Sequence, residues 1–191
     1  MSTTTARHTV EEYFEVELAS ELRHEYVDGE ILEMVGGSTP HNDITGNLYL
    51  MLKSNFRKPK FRVCCGNSRM HVPVPVAYLY PDAAVVKLTG ESIVRRLDTV
   101  PDPAVLFEIL SPSTEKFDRG RKFELYQQIA SLEEYVLISQ KAISVERFTR
   151  REDGTWEQEQ FHGRDAIVPL TSLDWSIALS ELYEDVEFLP E

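Results

Sequence analysis

Cysteine is nearly absent from this 191-residue chain: there are two, Cys64 and Cys65, adjacent to one another. Neighbouring thiols in an apolar stretch fit neither a disulfide framework nor the spaced ligand pairs of a zinc site, so both read as reduced core residues. Long apolar runs are also missing. None approaches the roughly 18 to 20 residues needed to cross a bilayer, and the first residues, MSTTTARHTVEEY, lack the apolar core of a signal peptide. A cytoplasmic protein is expected. Basic residues are scarce too, 20 Lys and Arg against 32 Asp and Glu, for a net charge of −12. Phosphate binding usually leaves a basic footprint, so the balance speaks against a nucleic-acid partner. The distribution softens this: residues 1–50 carry −8, residues 51–130 carry +5, and residues 131–191 carry −9.

What is present is an ordinary globular composition, 42% hydrophobic and 27% charged, with enough length for one domain spanning 1–191 and a core over about 9–180. Thr9 followed by Glu12 has the capping-box form and starts a helix running to about Leu18. Asp28-Gly29 between apolar flanks is a two-residue hairpin signal. Ile44, Leu48, Leu52 and Phe56, joined by Met51, give an amphipathic helix over 41–56, with Lys53, Arg57, Lys58 and Lys60 at its end. Strands follow at FRVCC, at RMHVPVPV (an edge or irregular piece because of Pro73 and Pro75), at PDAAVVKL and at AVLFEIL. Residues 89–103 form a polar connection. Phe117, Leu125, Tyr126 and Ile129 outline a helix ending near Ser131. VLIS, ISVERF and Thr155–Phe161 read as strands, the last two joined at Asp153-Gly154, and LDWSIALSELYE as a strand and a helical turn. This order fits an α/β or α+β domain with a mixed central sheet flanked by helices.

Two apolar strands each carry one acid: Asp82 opens the first and Glu108 sits inside AVLFEIL. Burying an ionised carboxylate without a partner costs several kcal/mol or more, so a cation, a metal or hydrogen bonds must await Glu108. Lys122, on the following helix, supplies a cation. If the strands are neighbours, Asp82 and Glu108 offer two oxygen ligands for Mg²⁺ or Mn²⁺, and a nearby lysine orients water or neutralises charge at phosphorus.

The run Glu25 to Met34, His41, Tyr80-Pro81-Asp82, Glu108 to Thr114 (EILSPST), Asp118, Lys122, Tyr126 and EYVLI at 134–138 together resemble the Uma2 family, over roughly residues 9–180. The resemblance implies a restriction-endonuclease-like αβββαβ core, a divalent metal with Asp82 and Glu108 as its ligands, and DNA phosphodiester hydrolysis. Where the wider PD-(D/E)XK nuclease pattern places a lysine two residues after the glutamate, this chain has Leu110. Lys122 is the replacement, and Glu25, in preference to Glu30, is a supporting carboxylate. Apolar strands and an exposed edge point to a homodimer, whose twofold would suit duplex cleavage.

Plainer readings stand beside these. Asp82 can simply begin a strand, and Glu108 can join a structural ion pair. Asp118 and Lys122 can form an exposed i, i+4 pair. His41 reads as a surface or capping residue, Ser111, Ser113 and Thr114 as a turn, and Arg119 and Arg121 as solvent-facing. Two alternative functions follow: a non-catalytic oligomeric binding module on the same fold, favoured by the net charge, and a metal-dependent hydrolase of small phosphoesters.

Overall fold

A computed structural model of the chain describes residues 7–34, 36–88, 99–100 and 102–188. In chain order these form α1 (Val10–Ala19), the hairpin β1 (His24–Val27) and β2 (Glu30–Glu33), α2 (Thr39–Asn55), β3 (Phe61–Cys65), β4 (Arg69–Val72), β5 (Ala77–Leu79), β6 (Ala83–Lys87), β7 (Thr99–Val100) and β8 (Pro103–Leu110). A helical passage follows, α3 (Glu115–Phe117), a π-helical turn (Asp118–Lys122) and α4 (Phe123–Tyr126), then β9 (Glu134–Ser139), β10 (Ser144–Arg150), β11 (Trp156–His162), β12 (Ile167–Leu170), β13 (Trp175–Ala178) and α5 (Leu179–Leu182).

The central sheet has six strands in the order β11-β10-β9-β8-β6-β3. β8 pairs parallel with β9 and antiparallel with β6, which makes the sheet mixed. All eight residues of β8 are buried, as its near-continuous apolar run requires of a strand covered on both faces. On one face, Val105, Phe107 and Ile109 pack with Ile44, Leu48 and Leu52 of α2 and with β12, β13 and α5. On the other, Leu106 and Leu110 pack with Leu125 and Tyr126 of α4 and with β4 and β5 of a second sheet, ordered β2-β1-β5-β4-β7. Glu108 shares the parity of Leu106 and Leu110, so its side chain points under α4.

Local chemistry explains the elements that hold the site. Thr9 and Glu12 form the reciprocal capping box at the start of α1. Asp28 and Gly29, at φ 48° and 94°, make the turn in which both central residues are left-handed, which twists β1 onto β2. Ser38 caps α2 by accepting from His41 N–H, and Pro40 sits in the first turn, where its missing N–H costs nothing.

Four features depart from the sequence-based expectations. Pro73 and Pro75 lie in the connection between β4 and β5, leaving four residues of RMHVPVPV as strand. Strand β5, three residues long between proline-rich segments, is too short to show alternation. β12, which contains Pro169, is a strand where none is expected from the sequence. The helix expected to run to Ser131 instead widens into a π turn and ends at Tyr126. The connection at 89–103 falls largely outside the described residues.

Candidate functional site

The pairing of β6 with β8 places the two acids. Ala83 stands opposite Phe107 and Ala84 opposite Leu106, so the same register puts Asp82 opposite Glu108, with both side chains on one face. Ile109 N–H donates to Asp82 Oδ2 at 2.7 Å, which fixes that carboxylate. Lys122 approaches Glu108 from the π turn: its Nζ lies 2.9 Å from Glu108 Oε1, 3.1 Å from Glu25 Oε1 and 3.6 Å from Asp118 Oδ1. π turns are frequent at functional sites, and here one directs both Asp118 and Lys122 inward, 2% and 4% exposed.

Further donors complete the cluster. Tyr126 OH donates to Glu108 Oε1 at 3.1 Å. Tyr80 ties three elements together: its N–H donates to Glu25 Oε1 at 3.0 Å, its carbonyl accepts from Lys122 Nζ at 3.4 Å, and its OH donates to the buried Glu17 of α1 at 2.7 Å. His41 reaches in from the first turn of α2, with Nε2 3.3 Å from Asp82 Oδ1.

Four carboxylates thus meet one lysine and one histidine, and the electrostatics follow from that imbalance. Burial pushes Glu108 well above the ordinary carboxylate range; Lys122 opposes the shift, and Asp118, Asp82 and Glu25 add to it. Asp118 moves up for the same leading reason, burial. For Lys122, burial acts to lower its affinity for the proton, but the three carboxylates outweigh it and the ammonium is held well above the usual lysine range. His41 is raised as well; burial opposes charging, and Asp82 overcomes it.

These groups line a cavity of about 420 Å³, walled by the end of β2, the loop into α2, the 111–114 turn and the start of the π turn. The donor set suits a hard divalent ion. Glu108 Oε1 receives both Lys122 and Tyr126, leaving Oε2 without a hydrogen-bond donor among the described residues, while Asp82 Oδ1 faces only His41. Among the described residues, no group of three or more His, Cys, Asp or Glu side chains stands placed to hold a metal ion. Two carboxylates with room for water are what Mg²⁺ commonly takes.

Asp82, Glu108, Lys122 and Glu25, separated by up to 97 positions, are therefore brought together. Glu30 is exposed and takes no part. Asp118 and Lys122 are not an exposed pair but a buried one, because the π turn faces them inward. His41, read from sequence as a surface or capping residue, contacts Asp82; its sequence signals are its place in the helix's first turn and its place among the residues that resemble the Uma2 family. Glu17 has no signal in the sequence, and Tyr80 has only its place in the Tyr80-Pro81-Asp82 run, since their polar contacts cross from one element to another.

Comparison with known proteins agrees with this architecture. Two uncharacterized proteins of Synechocystis sp. are each 29% identical to the chain, one over 86% of it and 93% of the relative, the other over 93% and 92%. The crystal structure of a DUF820 protein from Anabaena variabilis, described as a "putative nuclease", superposes with a TM-score of 0.70 over 86% of this chain and 91% of that one, at 19% identity. Residues 10–180 match the Uma2 family, described as "Putative restriction endonuclease". With its mixed sheet, flanking helices and a family match over nearly its whole length, the chain belongs to the Uma2 family and has the restriction-endonuclease-like fold.

Proposed function

We propose that the protein is a metal-dependent endonuclease that hydrolyses DNA phosphodiester bonds, with Mg²⁺ or Mn²⁺ held by Asp82 and Glu108. The observation that carries this reading is the placement of those two carboxylates on opposed positions of neighbouring strands, with Lys122 2.9 Å from one of them. When bound, the ion would lower the pKa of a coordinated water and stabilise the leaving oxygen. The chain's own groups do the rest. Lys122 and Tyr126 grip Glu108 Oε1 and present Oε2 to the cavity. Ile109 N–H and His41 hold Asp82. Glu25 and Asp118 neutralise Lys122 and keep its ammonium aimed at the cavity, where it orients the attacking water or offsets charge at phosphorus. The same reading takes the protein to be cytoplasmic, in keeping with the lack of any helix, among the described residues, that could cross a membrane. It also takes it to be a homodimer, and sedimentation at twice the chain mass is the expected result.

The test is cleavage of plasmid and single-stranded DNA with Mg²⁺, Mn²⁺ or EDTA, beside Asp82→Ala, Glu108→Gln and Lys122→Met. Metal-dependent cleavage is expected, reduced roughly 100-fold or more in each variant. Cleavage that survives in Lys122→Met alone removes the lysine from the mechanism. Turnover of a small model phosphodiester without DNA cleavage identifies a small-phosphoester hydrolase. Inactivity under every condition, with no metal-induced stabilisation, identifies a non-catalytic module on the same fold.

A further inference from the structure

The cavity has a second wall that the reaction above does not use. It is mostly apolar or neutral: Leu32 and Met34 at the end of β2, with Glu33 between them, Phe117 at the start of the helical passage, and Ser38 and Gln140. Gln140 follows directly on β9 and is 7% exposed. Its Oε1 accepts from Ser38 Oγ at 2.5 Å. That hydroxyl is already an acceptor for the His41 N–H at the α2 cap, so its proton is free for Gln140, which sets the amide with its oxygen toward Ser38. The amide nitrogen has no hydrogen-bond partner among the described residues. The side chain as a whole is buried, but its NH₂ is not among the fully buried polar atoms left without a partner, so it opens on the cavity, where a ligand's acceptor can take the place of water.

From this wall we infer a nucleobase subsite, in which the Gln140 amide donates to a ring carbonyl oxygen of a base lying against Phe117, Leu32 and Met34. The inference rests on the nuclease reading and deepens it by naming what the site holds beside the scissile phosphate. An anion is the poorer occupant, because Asp82, Glu108, Glu25 and Asp118 line the same cavity. A neutral acceptor avoids that repulsion, and the apolar residues offer a surface for a π-face. Position also fits. Leu137 stands beside Glu108 in the β8–β9 pairing, so Gln140 lies three residues further on, roughly 10 Å along the strand from the acidic floor. A base pocket set back from the floor takes an unpaired nucleotide, since a base still in a duplex cannot enter it.

The experiment is fluorescence anisotropy with labelled hexanucleotides of thymidine and of deoxyadenosine, in Ca²⁺ and in EDTA. Wild type is compared with Gln140→Met, which removes the amide, and Gln140→Glu, which keeps the shape and the acceptor for Ser38 but replaces the free donor by an oxygen. Thymine presents carbonyl oxygens and adenine none, so wild type should bind the thymidine hexamer about three- to ten-fold more tightly. Both variants should bring that ratio to about one. Cooperative melting shows that each variant is folded, and if Gln140→Met fails to fold, Gln140→Glu decides alone. An unchanged ratio in a folded variant overturns the subsite, as does a wild type that binds neither hexamer. Cleavage assays on the same proteins separate the two claims. Metal-dependent cleavage with an unaltered base ratio leaves the nuclease and removes the subsite. A base preference lost in the variants, without cleavage under any condition, keeps the subsite and removes the nuclease.

Discussion

Glu108 and Asp118 are held above their ordinary values of 4.5 and 3.8, first by burial and then by neighbouring acids, Asp118, Asp82 and Glu25 for Glu108 and Glu25 and Asp82 for Asp118. Between those values and the raised folded ones, the native protein binds protons that the unfolded chain has already released. Stability therefore falls as pH rises through that window. Lys122 acts at the other end: its folded value is raised, so its contribution is complete below the ordinary lysine range and is lost only in strong alkali. Without metal, the melting temperature is expected to be higher near about pH 5 than near about pH 8. Glu108→Gln should flatten that slope and raise the melting temperature at the higher pH. Thermal denaturation in EDTA across this range checks both. Replacing Lys122 by Ala leaves Glu25, Glu108 and Asp118 buried around no cation, a loss of about 3–5 kcal/mol by chemical denaturation at neutral pH. A loss below about 1 kcal/mol, the size of an exposed pair, would contradict the buried cluster.

At the level of elements, the π turn and the loop into α2 are the two devices that aim side chains. Gly120 lies inside the π turn, and nothing lies near the position its Cβ would take. Gly120→Ala should stabilise the protein by about 0.5–1 kcal/mol, by reducing the freedom of the unfolded chain, with cleavage retained. Gly37 is the opposite case. A Cβ there would stand 2.6 Å from His41 Nδ1 and 2.9 Å from Asn42 Oδ1, so Gly37→Ala must displace the histidine that touches Asp82. The expected result is a fold that still melts cooperatively but has weaker metal binding, about 10- to 100-fold, read by metal titration of stability.

For the whole molecule, the metal proposed for the site would couple to folding through its surplus of carboxylates. A divalent ion that binds only the native state at one hundred times its Kd adds about 2.7 kcal/mol. For a chain of this size that is a rise of roughly 5–10 °C in Tm. Mn²⁺ should produce this shift in wild type and not in Asp82→Ala. Because the ion competes with protons for Glu108, the shift should grow as pH rises. The net charge of −12 also belongs to this scale. A protein with so few cations left for phosphates gains little from counterion release, so on the nuclease reading proposed above the divalent ion, rather than surface lysines, would be the positive charge that receives the substrate.

Much of the architecture is written locally. The capping box at Thr9, the Asp28-Gly29 turn, the apolar stripe of α2 and the buried run of β8 depend on residues within a few positions of one another, so the sequence determines them. The lone acid in AVLFEIL likewise announces a partner, because an unpaired charge there would be too costly. Which partner is a tertiary matter. The β6–β8 register sets Asp82 opposite Glu108, and the π turn brings Lys122 back across 14 residues. The hairpin carries Glu25 to the same ammonium, and the α2 cap swings His41 onto Asp82. Short strands such as β5 and cross-element contacts such as Tyr80 with Glu17 leave no periodic trace. Their energy comes from neighbours distant in sequence, which only the folded chain assembles.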